Sequence, residues 1–413
     1  MPSEFDRRYA AEVLEPYRRT GRYAGETPTM PMIDLALSKE GALLPHLWGL
    51  LYDGWRPEPV LAGATVFAQG YEHRGPDNRR KRILMSAMTP DLYDRWYRPK
   101  VEAYLAGETD YDDLFWDLHL GAKATPEVRE FGAAFDLVLA HASPDEPGVR
   151  DAYATAHQRL GEVQAWIGGR LRELLDGRTP TPEATFAHYW ARNGGLGGAA
   201  ADFGPGDIAV ECLHDRIAMA QWPVAARQIE ARLDADDVVR GWFERTMAEA
   251  PDRRDGGPFT PLDRFVMELL RTAPPNPGSL STLVARKAPA EDPVAFAVTD
   301  HLAANTDPRH WARPEAFDPE RYSTAPTSAD DGRSARAGLA RCPFEPEPYP
   351  VPDGRPVTLT NSVFGAVYPV GAPVCDSAGY APFGFGYRRC PAEHLTVAFL
   401  KDFLRRKWAA KTA

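Results

Sequence analysis

The sequence predicts a mainly α-helical fold with small β-sheets. Three observations carry this: long stretches with apolar residues at helical spacing, helix starts marked by capping residues and proline, and few, short strand-like segments. In chain order, residues 43–55 are apolar and aromatic, and residues 59–67 resemble a short strand region. Residues 79–87, followed by Thr89-Pro90-Asp91, mark the end of one helix and the capped start of the next. Helical periodicity then covers residues 92–105, 128–142 and 149–175; residues 178–182 interrupt it, and residues 194–206 form a glycine-rich connection. Residues 208–233 read as one long helix, with apolar Val210, Leu213, Ile217, Ala220, Val224 and Ile229. Pro223 inside it removes a backbone bond, at about 3 kcal/mol unless a kink is supported. Thr260-Pro261-Leu262-Asp263 opens a further helix, with a capping hydroxyl, proline at the first helical position and an acid at the third. That helix stops before Pro274-Pro275. Residues 294–298 and 357–359 are strand-like, and residues 392–408 form the last helix.

Length alone would allow two average domains in 413 residues, but no repeat or linker-like tract divides the chain, so one domain over 1–413 is expected. A hydrophobic content of 44% and an aromatic content of 11% suffice for a large core. Cys212, Cys342, Cys375 and Cys390 show no close ligand spacing, which indicates neither a zinc site nor a disulfide framework. No apolar stretch reaches the roughly 18 residues of a membrane span, and the N-terminal residues lack the apolar core of a signal peptide. A soluble, cytoplasmic protein is the expectation. Many arginines, alanines and prolines beside few lysines suggest a GC-rich bacterial gene. The net charge of -10 argues against nucleic acid as a partner.

Cys390 carries the chemistry. It sits in Phe383-Gly384-Phe385-Gly386-Tyr387-Arg388-Arg389-Cys390-Pro391-Ala392-Glu393. The glycines allow a close approach of backbone to a flat ligand, and Arg388 offers a fork of donors suited to a carboxylate. A thiolate ahead of a helix has its charge stabilised by unpaired backbone N–H groups. In the next helix back, Glu268 and Arg271 share one face. Residues 305–311 follow, and then Phe317-Asp318-Pro319-Glu320-Arg321-Tyr322.

These three ordered motifs resemble the haem loop (Phe-x-x-Gly-x-Arg-x-Cys), the Glu-x-x-Arg helix and the Pro-Glu-Arg-Phe segment of the cytochrome P-450 superfamily, whose thiolate ligation favours O–O cleavage. Ala392 departs from the family's usual glycine. The resemblance implies the cytochrome P-450 fold, haem b (iron protoporphyrin IX) with Cys390 as the iron ligand and Phe383 and Gly386 in its loop, and a Glu268, Arg271, Arg321 triad bracing the core behind it. It also implies haem-propionate contacts from Arg388 and from Arg80 or Lys81, because Asp77 falls where many members carry histidine. The basic clusters at 79–82, 388–389 and 405–407 would then surround the cysteine side of the haem. Two readings stand for them: a docking face for an acidic ferredoxin- or flavodoxin-type electron donor, or propionate ligands and ordinary solvated positions.

Family monooxygenases place an acid and a threonine in the long helix across the haem, where the pair relays protons for O–O cleavage. Residues 217–223 put Gln221 and Trp222 there, and neither can serve: glutamine is no acid, and indole offers one N–H and no acceptor. No Ala/Gly-Gly-x-Asp/Glu-Thr string occurs between Gly168 and Glu268. Local strings at 80–90, 209–213 and 389–393 resemble instead the bacterial fatty-acid peroxygenase branch, which uses hydrogen peroxide and an Arg-Pro that binds the substrate carboxylate. Arg216 falls within one residue of that arginine but precedes Ile217, and residues 323–380 have no counterpart in that branch. Arg216 is thus either substrate-facing or a salt-bridged helix residue. The expected activity is oxidation of a small organic substrate, in bacterial secondary metabolism, driven by peroxide or by a substrate-supplied proton. An isomerase, lyase or dehydratase needing no reductase, an ordinary reductase-dependent monooxygenase and a non-catalytic haem-binding protein remain alternatives.

Overall fold

A computed structural model describes residues 41–44, 83–140, 148–194, 205–255, 259–275, 278–285, 295–300, 302, 305–306, 308, 311–323, 349–350, 356–357, 382–383 and 390–413. The helices are α1 (Pro90–Leu92), α2 (Arg98–Leu105), α3 (Tyr111–Leu120), α4 (Pro126–Ala140), α5 (Val149–Leu175), α6 (Phe186–Gly194), α7 (Pro205–Met219), α8 (Gln221–Ala235), α9 (Asp237–Ala248), α10 (Pro261–Thr272) and α11 (Glu393–Thr412). Strands β1 (Gly41–Leu44), β2 (Gly278–Ala285) and β3 (Ala295–Asp300) form an antiparallel sheet in that order, with Gly41 opposite Ala285 and Gly278 opposite Asp300. A second sheet pairs β4 (Tyr349–Pro350) with β5 (Pro356–Val357).

Local chemistry sets the element ends. Thr89 accepts the Leu92 N–H to start α1, and the Thr260–Asp263 capping box starts α10. Between α1 and α2, Tyr93–Tyr97 is a π-helix, with the Arg98 N–H reaching back to the Tyr93 carbonyl. Pro99 lacks the N–H that the Arg95 carbonyl would need, so the wider turn falls just ahead of it.

The expected single helix over 208–233 is two. Ala220 breaks it, and α7 and α8 meet at that residue. Pro223 therefore lies in the first turn of α8, where N–H groups have no intrahelical partner, and the interior-proline penalty does not arise. Helices α3, α6 and α9 and strands β1, β2 and β4 are additions to what the sequence predicts, and the last helix extends to Thr412. The expected strand at 59–67 lies outside the described residues.

One apolar core runs through the helices. His119 of α3 meets Phe186 and Trp190 of α6, with Phe115 stacked on His119 at 4.0 Å and Trp116 edge-on to Trp166 of α5 at 5.0 Å. Helix α11 packs on α1, α2, α8, α9 and α10, so the helix after Cys390 joins elements from both ends of the chain.

Candidate functional site

Cys390 is half-buried, two residues before the N-cap of α11. Its backbone N–H donates to the Phe383 carbonyl at 2.8 Å, so the two ends of the Phe383–Cys390 segment meet. Phe383 packs on the core and Pro391 is buried, which fixes the approach to the helix from both sides. The N-cap is Ala392, whose methyl offers no oxygen to the leading N–H groups of α11. A thiolate immediately upstream is an anion that such a helix end stabilises. The donor set fits the thiolate-ligated iron of a haem. By contrast Cys212 is wholly buried, and burial pushes its thiol well above the ordinary value, with Asp215 and Glu211 adding to the effect. Gly386, Arg388, Arg80 and Lys81 lie outside the described residues.

Glu268, Arg271 and Arg321 are brought together. Glu268 and Arg271 are fully buried, and Arg271 grips the carboxylate with two bonds of 2.8 Å. Its other N–H groups donate to the carbonyls of Asn305 (3.0 Å), Pro314 (2.8 Å) and Ala316 (3.0 Å). Burial pulls the Arg271 guanidinium down, but its bonds to Glu268 outweigh that, and the net shift is upward. Arg321 reaches Glu268 at 3.1 Å and shares the Ala316 carbonyl. Two partners were not foreseen: the Tyr322 hydroxyl donates to Glu268 at 2.9 Å, and so does the Asp318 backbone N–H. Tyr322 stands where the family has phenylalanine, and the extra hydroxyl was the signal available in the sequence. Trp311 lies under both cations, 5.1 Å from Arg271 and 5.8 Å from Arg321.

Helix α7 sets Arg216 against acids of α3 and α4. The guanidinium is 1% exposed and lies 3.0 Å from Asp112 of α3 and 3.0 Å from Asp136 of α4. It also sits over the Tyr111 ring, whose hydroxyl donates to the Arg216 carbonyl at 2.9 Å. Gly132 makes room for it: a Cβ there would meet the guanidinium. Burial raises the carboxyls of both Asp112 and Asp136, and Arg216 only partly offsets this. Two acids face the Nη2 of this guanidinium, while its buried Nε and Nη1 have no hydrogen-bond partner among the described residues. Next to Arg216, Asp215 lies 3.3 Å from the Nε2 of buried His119 of α3, whose Nδ1 faces the Phe115 carbonyl at 2.8 Å, a pair not foreseen from the sequence.

Gln221 is half-buried at the first position of α8. Trp222 is buried and turned to α11: its indole N–H donates to the Thr396 hydroxyl at 3.1 Å, and its ring stacks on Phe399 at 4.7 Å and 15°. On the same helix, Arg405 pairs with Asp252 and Asp402, and Lys407 with Glu230. Two of the three cations at this end of the expected basic face are thus paired with acids, while Arg406 is exposed.

The overall likeness to solved structures decides the fold. A cyanobacterial cytochrome P-450 with bound retinoic acid superposes with a TM-score of 0.58 over 92% of this chain and 80% of its own, at 17% identity. The chain has the cytochrome P-450 fold. Cytochrome P-450EX alpha with myristic acid matches over 97% of this chain and 87% of its own, with a TM-score of 0.54 at 16% identity. A variant of cytochrome P-450 OleT in complex with arachidonic acid gives 0.54 over the same shares, at 13% identity. No family model matches the sequence, and no curated protein does. Among the described residues, no helix is long and apolar enough to cross a membrane.

Proposed function

We propose that the whole chain forms one haem-thiolate oxidoreductase unit that oxidises a small organic substrate with hydrogen peroxide. The observation that carries this is Cys390, half-buried ahead of α11 with its amide tied to Phe383. When bound, haem b supplies the oxidising chemistry, and Cys390 is the residue that holds its iron. Arg388 and Arg80 or Lys81 would take the propionates.

The rest follows from what the other residues can do with protons. Gln221 has no acidic proton to give, and Trp222 commits its only N–H to Thr396. Neither serves as the acid–alcohol relay of a reductase-driven monooxygenase. Peroxide brings its own oxygen, electrons and protons: substrate C–H plus hydrogen peroxide gives alcohol plus water, with nothing drawn from a carrier. The neutralised charges at Arg405 and Lys407 support the same choice over docking of an acidic electron donor.

Oxidation of thioanisole to its sulfoxide by the ferric protein tests the proposal. Hydrogen peroxide should support turnover at least tenfold faster than NAD(P)H with reductase and ferredoxin. Efficient reductase-driven sulfoxidation, unchanged in Gln221→Ala, would return the protein to the ordinary monooxygenase class.

A further inference from the structure

The indole of Trp222 is 2% exposed, and both of its polar and apolar contacts noted above go to one partner element. Thr396 and Phe399 are six and nine residues beyond Cys390, in the first two turns of α11. Thr396 also closes the first backbone bond of that helix, donating to the Ala392 carbonyl at 2.9 Å. The residue therefore links the α7–α8 break at Ala220 to the helical turn that follows the cysteine.

The link has a consequence for sulfur. Ala392 cannot cap α11, so the orientation of the leading N–H groups depends on how the first turns are held from the side. Hydrogen bonds to a ligating sulfur draw off electron density and raise the reduction potential of the iron it binds. We propose that Trp222 is a positioning residue: by anchoring Thr396 and Phe399 it fixes the first turns of α11 and with them the N–H groups presented to Cys390. This rests on the haem-thiolate reading above and assigns Trp222 to the cysteine side of the site, where its indole bonds to no reacting group.

The experiment compares Trp222→Phe, which keeps a ring to stack and deletes the N–H, with Thr396→Val, which deletes the acceptor, and Thr396→Ser, which restores it. Amide hydrogen exchange across the start of α11 and the ferric/ferrous potential are measured on the haem-loaded proteins. In Trp222→Phe and Thr396→Val, exchange should quicken severalfold and the ferrous-to-ferric ratio at fixed potential should fall about tenfold, a shift of about 59 mV for one electron. Thr396→Ser should behave as wild type. Unchanged exchange and potential in both deletions would overturn the proposal, as would a Thr396→Ser shift equal to that of Thr396→Val. Failure of the wild-type protein to bind haem would instead sink the haem-thiolate reading, and the exchange comparison alone would then decide the anchor.

Discussion

At the scale of single residues, the most constrained group is the Glu268 carboxylate. It accepts from Arg271 twice and from Tyr322 in the buried interior, and from Arg321 and the Asp318 amide in part-buried bonds. Removing it leaves a buried guanidinium without its counter-charge, which costs about 3–5 kcal/mol. Glu268→Ala should therefore unfold at markedly lower denaturant and retain little haem, whereas a fully loaded, equally stable variant would contradict the account. Tyr322→Phe removes only a hydrogen bond to a charged group and should cost about 1.5–3 kcal/mol in the same denaturation, with haem content kept. The Glu268–Arg271 spacing was readable from the sequence because three residues apart on a helix means one face. Arg321 came only through the resemblance. The carbonyls that receive Arg271 could not be read, since every residue carries one and only the folded path selects Asn305, Pro314 and Ala316.

At the scale of elements, α10 and α11 are clamped by Asp263, which serves the α10 capping box and accepts from Lys401 at 2.6 Å. Burial alone would raise this carboxyl, but Lys401 and Thr260 more than reverse it, and the group lies below the ordinary aspartate value of 3.8. A depressed carboxyl contributes stability that is present above 3.8 and is lost as the pH falls through the lower folded-state value. Asp263→Asn should lower the Tm at about pH 7 and narrow the gap between pH 7 and about pH 3. An unchanged gap would show that the clamp is already screened. Helices with a single buried face, such as α5, were legible to the residue. Helix α3 was not, because Leu114, Phe115, Trp116, Leu118, His119 and Leu120 are buried around most of its circumference and leave only a narrow stripe of Asp113 and Asp117 over a short, ten-residue helix. Helix α9 was hidden by its connection, a single Asp236 that ends α8 and caps the next helix without glycine or proline. The α7–α8 break was signalled by Pro223 but lies three residues ahead of it, where the proline costs least.

At the scale of the whole molecule, the helical fold, the order of the motifs and the placement of the cysteine ahead of the last helix were all readable, because each rests on local chemistry. Which way the indole of Trp222 and the guanidinium of Arg216 turn was not readable, because it depends on Thr396, Asp112 and Asp136, residues far away in sequence. The proposed function rests on Cys390. The most direct measurement is the absorption spectrum of the reduced, carbon monoxide-bound protein, wild type against Cys390→Ser. The wild type should show the band typical of thiolate-ligated haem, and Cys390→Ser should lose it while the fold, read by far-UV circular dichroism, stays intact. An unchanged band in Cys390→Ser, or its absence from haem-loaded wild type, would contradict the assignment.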